Sequence, residues 1–264
     1  MHSPTDTLQI ESIDEHVQLI TLNRPEASNA FNTKMAWDLI SVFEDYATTL
    51  SDTRVIVLTG SGDKSFCAGG DLKERKGMSD QQWQAQHLVY ERMIRAIISC
   101  PLPTIGAING AAYGGGCELA AALDFIYVSD TARFAQTEVQ IGIIPGAGGT
   151  QTLARAIGEK RAKEIILTGQ VFSAEDALSW GLANKIYAQR DLLEATLTTA
   201  KTIANNAPIA VRQAKKSIHK GMQMSLNDGL AFEIEAYNQT VPTEDRREGV
   251  LAFNQKRKPK FRGN

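Results

Sequence analysis

Cysteine is scarce in this 264-residue chain: Cys67, Cys100 and Cys117 are an odd number with no CxxC pair. That argues for a reduced compartment rather than a disulfide framework. The four histidines, His2, His16, His87 and His219, are scattered, and neither set has metal-ligand spacing, so no metal site is expected. No apolar run approaches the roughly 20 residues that cross a bilayer. The start, MHSPTDTLQIESIDEH, is polar and acidic where a secretory signal needs a basic end and an apolar stretch. The expectation is a cytoplasmic protein with no membrane association. An excess of positive charge is missing too, since 28 Lys+Arg against 30 Asp+Glu leave a net charge of -2. A nucleic-acid binder working through a basic surface needs clustered cations, and the segment TKMAWDLISVFEDYATTLSD offers one Lys against Asp38, Glu44, Asp45 and Asp52. No GxxxxGK[ST] and no GxSxG occurs, which removes the P-loop and the ordinary serine-hydrolase elbow. Gly60-Ser61-Gly62 follows a strand-like run, but the third glycine of a dinucleotide fingerprint falls on Ser65.

What is present reads as α/β and then all-α. HVQLITLN (16–23) and RVIVLTG (54–60) are short apolar runs of the kind a buried parallel strand shows. Between them Asn32 is a plausible N-cap for a helix to about Leu50, with Met35, Leu39, Val42, Phe43 and Tyr46 on one face. A second helix, about Asp80 to Ile98, carries Trp83, Leu88, Met93, Ile94 and Ile97. PTIGAING and DFIYVSD read as further strands, with a helix from GGGCELAAALD between them. From about Gly146 helical patterns dominate, the last through LNDGLAFEIEAYNQT, and the basic end KRKPKFRG reads first as a solvated tail.

Three segments place glycine or alanine where backbone amides would stand uncovered: SFCAGGDLKER (65–75), INGAAYGGGCELAAALD (108–124) and FAQTEVQIGIIPGAGGTQ (134–151). Tight turns explain any one of them; all three together suggest that a ligand approaches the main chain. Gly114, Gly115 and Gly116 supply amides at a helix start, suited to a developing oxyanion. Glu118 lies in the first turn, where the helix dipole favours its ionised form. Glu138 sits in a stretch with few charges, flanked by Phe134, Ile141, Ile143 and Ile144. Two carboxyl groups beside an amide-lined pocket suggest proton transfer next to a polarised carbonyl.

On these residues the chain resembles the enoyl-CoA hydratase/isomerase (crotonase) superfamily, from LNRPEASNAFN through FCAGGDLKER, NGAAYGGGCELAAALD and FAQTEVQIGIIPGAGGTQ to GVLAFNQKRKPKF. The resemblance implies a ββα superhelix over residues 1–200 and a helical trimerisation region over 201–264, in a homo-oligomer that is a trimer or a dimer of trimers. It places oxyanion-hole amides on Ala68 and Gly115, the water-activating glutamate on Glu118, the α-carbon proton exchanger on Glu138 and a water-placing amide on Gly146. Glu26, Ala27 and Ser28, with Gly70, Asp71 and Leu72, match segments lining the CoA nucleotide. Phe253 and Lys256 match C-terminal residues that reach CoA, often from a neighbouring subunit. The chain departs at Glu26, where the family often has Lys, and at Thr152, where it often has Arg. Retention of both glutamates favours hydration of an acyl-CoA substrate, with double-bond isomerisation as the alternative. The implied substrates are methylglutaconyl-CoA of leucine breakdown or a short-chain enoyl-CoA of fatty-acid β-oxidation, with no metal or redox cofactor.

Overall fold

The computed structural model describes residues 5–49 and 51–264; Leu50, the expected end of the first helix, and His2 lie outside them. The buried apolar runs pair into two sheets. In the first, β1 (Leu8–Ser12), β2 (Val17–Leu22), β3 (Val55–Gly60), β5 (Thr104–Ile108), β7 (Phe125–Ser129) and β10 (Lys185–Tyr187) lie side by side in that order. All its pairs are parallel except the β1–β2 hairpin. The second sheet holds β4 (Ser65–Cys67), β6 (Ala111–Tyr113), β8 (Arg133–Ala135) and β9 (Phe172–Ser173), again in chain order. Its first three strands are parallel, in register through Ala112 opposite Phe134 and Tyr113 opposite Ala135.

Chain order inside the two sheets reveals the repeat. Three successive strand pairs, β3–β4, β5–β6 and β7–β8, each contribute their first strand to the large sheet and their second to the small one. The carboxyl ends of β4, β6 and β8 are thereby aligned. Loops leaving neighbouring parallel strands at their carboxyl ends form the usual crevice of an α/β protein, and here they are the three glycine-rich segments.

Helices fill in around this frame. They are α1 (Thr33–Thr48), α2 (Leu72–Arg75), α3 (Asp80–Ile98), α4 (Gly115–Ala122), α5 (Gly149–Ile157), α6 (Glu159–Thr168), α7 (Ala174–Trp180) and α8 (Leu192–Ala204), followed by α9 (Pro208–Gly221), α10 (Leu226–Asn238) and α11 (Glu244–Asn254). The large sheet is covered on both faces, which is why its strands read as continuous apolar runs rather than alternating ones. On one face Val17, Leu19, Val55, Val57 and Ile105 pack with Leu192, Ala200 and Ala204 of α8. On the other, Ile20, Leu22, Ile56 and Leu58 meet Met35, Leu39 and Phe43 of α1 and Met93 and Ile97 of α3. The three cysteines are free and buried. No helix among the described residues is long and apolar enough to cross a membrane.

Three features of the fold differ from the pattern in the sequence. The region beyond Gly146 is not purely helical, since β9 and β10 there close the edges of the two sheets. The helix through LNDGLAFEIEAYNQT is not the last: α11 follows, with Thr243 as N-cap accepting from the Arg246 amide at 3.0 Å. Leu88, placed on the apolar face of α3, is 65% exposed and lines a cavity. Asn32 does cap α1, its side chain accepting from the Met35 amide at 2.9 Å. Asn32→Ala is therefore expected to cost about 1 kcal/mol, read as a melting temperature lower by about 2–4 °C in thermal unfolding followed by circular dichroism.

Candidate active site

The aligned ends of β4, β6 and β8 open onto one cavity of about 700 Å³, within the usual size of a small-ligand site. From the first loop it is lined by Ala68, Gly70, Leu72 and Arg75, from the second by Gly114, Gly115 and Glu118, and from the third by Thr137, Glu138, Ile141, Ile143, Ile144, Gly146 and Ala147. Helix α3 closes it with Trp83, Gln84, His87, Leu88 and Tyr90. Three segments far apart in the chain thus meet because each leaves the carboxyl end of a neighbouring parallel strand of the small sheet.

Main-chain donors come first. Ala68, expected to offer its amide, does not: that N–H donates to the Ser28 carbonyl at 3.0 Å. Two residues on, a parallel bridge joins Phe31 to Gly70; the Phe31 amide donates to Gly69 O at 2.9 Å and the Asp71 amide to Phe31 O at 3.0 Å. The bridge leaves the intervening Gly70 amide without an acceptor among the described residues. Gly115, first residue of α4, is likewise unpaired, as first-turn amides are by geometry. The two loops touch, since a Cβ on Gly69, itself at φ +91°, would stand 2.8 Å from the Gly115 nitrogen. Two free amides facing one cavity can grip a carbonyl oxygen, and they belong to Gly70 and Gly115.

Two carboxyls face the same space. Glu118, in the first turn of α4, is 2% exposed, and its Oε1 accepts from the Ala147 amide at 2.8 Å and the Gly149 amide at 2.7 Å. The dipole at the start of α4 argues for a low pKa, but burial wins. Desolvation, with the Glu138 charge adding to it, pushes Glu118 up to about 7 against the two amide hydrogen bonds. Glu138 opens a short 3-10 turn, Glu138–Ile141, and is 8% exposed. Burial raises its pKa as well. Its carboxylate lies over Gly114, where φ is +50° and a Cβ would come within 3.0 Å of Oε1. With its amide nitrogen turned inward, the buried Gln136 donates to both Glu138 oxygens, at 3.2 and 3.0 Å. Gln136, Ala147 and Gly149 position the two acids and were not singled out in the sequence; the GAGGT run was the available signal for the last two.

The remaining expected residues divide. Gly146 lines the cavity, its Cα against His87, so that a Cβ would fall 2.3 Å from the ring Cε1. Leu72 also lines it, half-exposed. Asp71 does not, because its side chain caps α2 through the Lys73 and Glu74 amides and pairs with Arg24 at 2.8 Å. Glu26, Ala27 and Ser28 lie on the surface turn after β2 and stay outside the cavity, as do the exposed Phe253 and Lys256 on and just after α11.

The chain is similar to known proteins along nearly its whole length. Over 242 residues the chain is 39% identical to the short-chain-enoyl-CoA hydratase of Clostridium acetobutylicum, covering 92% of each chain. It is 36% identical over 251 residues to the crotonyl-CoA hydratase of Syntrophomonas wolfei, covering 94% of this chain and 95% of that one. A crystal structure of an enoyl-CoA hydratase from Bacillus anthracis superposes with a TM-score of 0.95 at 41% identity, over 98% of this chain and 100% of that one. Residues 12–264 match the family described as enoyl-CoA hydratase/isomerase. With the match running through all three loops that build the cavity, the chain belongs to the enoyl-CoA hydratase/isomerase family.

Proposed function

We propose that this enzyme is a hydro-lyase that adds water across the 2,3 double bond of a short-chain enoyl thioester of coenzyme A. The observation that carries the reading is two buried carboxyls, Glu118 and Glu138, sharing one cavity with two unpaired backbone amides. The thioester oxygen sits between the Gly70 and Gly115 N–H groups, which are already oriented when negative charge builds on it. One such donor in a dry site is worth about 3–4 kcal/mol of barrier. Glu118, held by the Ala147 and Gly149 amides, takes a proton from water as its oxygen attacks the β-carbon. Glu138 gives a proton to the α-carbon. The Gly146 amide helps to place the water. The steps use only these groups and water, and coenzyme A enters as part of the substrate.

The nucleotide runs along the Glu26–Ser28 turn and the main chain at Gly70–Leu72. Phe253 and Lys256, remote from the cavity of their own chain, reach CoA from a neighbouring copy. A homo-oligomer is supported by the exposed Ile218 of α9, Met222 just after it, and Leu226, Leu230 and Ile234 of α10, since clustered exposed apolar side chains mark interaction surfaces.

Incubation with crotonyl-CoA is expected to remove the conjugated-enoyl absorbance and yield a 3-hydroxyacyl thioester by mass spectrometry. A product of unchanged mass with a shifted double bond would replace hydration by isomerisation.

A further inference from the structure

The grip on the carbonyl depends on a short piece of chain outside the glycine loops. Residues 24–31 lie against the first of those loops and decide which of its amides is left free. The Ser28 carbonyl takes the Ala68 amide, and the bridge at Phe31 engages Gly69 O and the Asp71 amide on either side of Gly70. A slip of residues 24–31 would therefore free a different donor or tilt the Gly70 amide out of line. Yet this piece has little regular structure of its own. It holds a single 3-10 turn, Pro25–Ala27, and then two residues in the left-handed region, Ser28 at φ +52° and Asn29 at φ +55°. Side chains other than glycine adopt that region at a cost, asparagine at less than most, so contacts from outside the turn must hold it.

Asn29 supplies them. It is 1% exposed and lies outside the cavity wall. Its Oδ1 accepts from the Arg24 amide at 3.0 Å and from Ser61 Oγ at 2.9 Å, and its Nδ2 donates to the Ser61 and Ser65 carbonyls, both at 2.9 Å. These four bonds use the whole capacity of a side-chain amide. They also fix which end is oxygen, because a main-chain N–H can only donate and a carbonyl can only accept. Ser61 and Ser65 bracket the turn from β3 into β4. That turn is anchored in its own right by Asn109, whose Nδ2 donates to Gly60 O at 2.8 Å and to Gly62 O at 2.7 Å. One side chain thus ties residues 24–31 to β4, the strand that delivers the FCAGG loop, and a buried polar network satisfied on every side rigidifies what it connects. A second tie runs from Arg24, whose guanidinium donates to Ala30 O at 2.6 Å and to Asp71 Oδ2 at 2.8 Å. Arg24 is itself held by Asn29 through its main-chain amide.

We propose that Asn29 is a positioning residue for the oxyanion hole: it sets the register of residues 24–31 against 68–71 and so aims the Gly70 amide at the thioester carbonyl. This rests on the hydratase reading above for the identity of the substrate. The substitution that tests it is Asn29→Gly, which keeps the left-handed backbone and removes all four side-chain bonds. The probe is the 4-dimethylaminocinnamoyl thioester of CoA, whose conjugated system absorbs further to the red the more strongly its carbonyl is polarised. It reports on each bound molecule, whatever fraction of the protein is folded. Wild type is expected to shift the bound probe to the red, and Asn29→Gly to bind it with most of that shift lost. With crotonyl-CoA the variant should lower kcat by about 10-fold, less than the roughly 10²–10³-fold that follows loss of a whole oxyanion donor, with KM little changed. A variant that keeps the wild-type shift and kcat, or whose losses fall only in KM or in the folded fraction, gives Asn29 a merely structural role and overturns the proposal. A wild type that shifts the probe, loses the shift in Asn29→Gly and yet hydrates no enoyl thioester keeps the proposal and discards the hydratase. If Asn29→Gly does not fold, Ser61→Ala, which removes the bond to Asn29 Oδ1, decides: a partial loss of the shift supports the proposal and an unchanged shift ends it.

Discussion

Glu118→Gln is expected to lower kcat by about 10²–10⁴-fold, the usual worth of a positioned general base, with KM for crotonyl-CoA little changed. Glutamine keeps an oxygen to accept from Ala147 and Gly149, so the loop geometry survives and only proton acceptance is lost. The same substitution is expected to stabilise the fold at alkaline pH. The Glu118 carboxyl has an ordinary value of 4.5 and titrates at about 7 in the folded protein. Because the folded state holds its proton more tightly, stability from this group is fully present below about pH 4.5 and is lost as pH rises through 7. Wild type should therefore fall behind Glu118→Gln by about 3 kcal/mol above pH 7 and match it in acid. Urea unfolding at pH 5 and pH 8 reads the difference. Near wild-type turnover, or a variant that is less stable at pH 8 than at pH 5 relative to wild type, would refute the assignment.

The second large effect is on the oxyanion donors. A Cβ added at Gly115 would stand 2.4 Å from Phe31 Cζ and 2.9 Å from Cε1. Phe31 cannot retreat, being 1% exposed and locked edge-on against Tyr90 at 4.8 Å between centroids. The start of α4 must move instead, and the Gly115 amide moves with it. Gly115→Ala is expected to cost about 10²–10³-fold in kcat, the loss of one oxyanion donor, and about 1–3 kcal/mol in stability from overpacking. Phe31→Leu removes the atoms that clash, so the double variant should recover activity relative to Gly115→Ala. A double-mutant cycle measures that coupling; strictly additive losses would show that the clash is not the cause.

How much of this was legible in the sequence depended on range. Helix α1 was readable because its cap, Asn32, and its buried stripe act within one or two turns, and α3 because its apolar spacing recurs from turn to turn. The small sheet was not readable, since β4, β6 and β8 are three residues each and too short to show a period. The two glutamates stood out by type and setting. Which amide is free did not: Ala68 and Gly70 look equivalent in FCAGGD, and only the Ser28 carbonyl and the Phe31 bridge, some 40 positions upstream, separate them. The protonation of Glu118 also misled, because a helix dipole is visible in a sequence and the loss of solvent is not.

The alternation of the chain between two sheets has a consequence for tinkering with this scaffold. Each turn of the coil delivers a single working segment to the crevice, and adjacent turns are joined both by strand pairing and by contacts between those segments, as where Glu118 accepts from the Ala147 and Gly149 amides. The isoleucines at 141, 143 and 144 line the cavity from the third segment, whereas the Phe31–Gly70 bridge and the start of α4 belong to the other two. Changes of length at 141–144 are therefore expected to reshape the cavity before they disturb the free amides of Gly70 and Gly115.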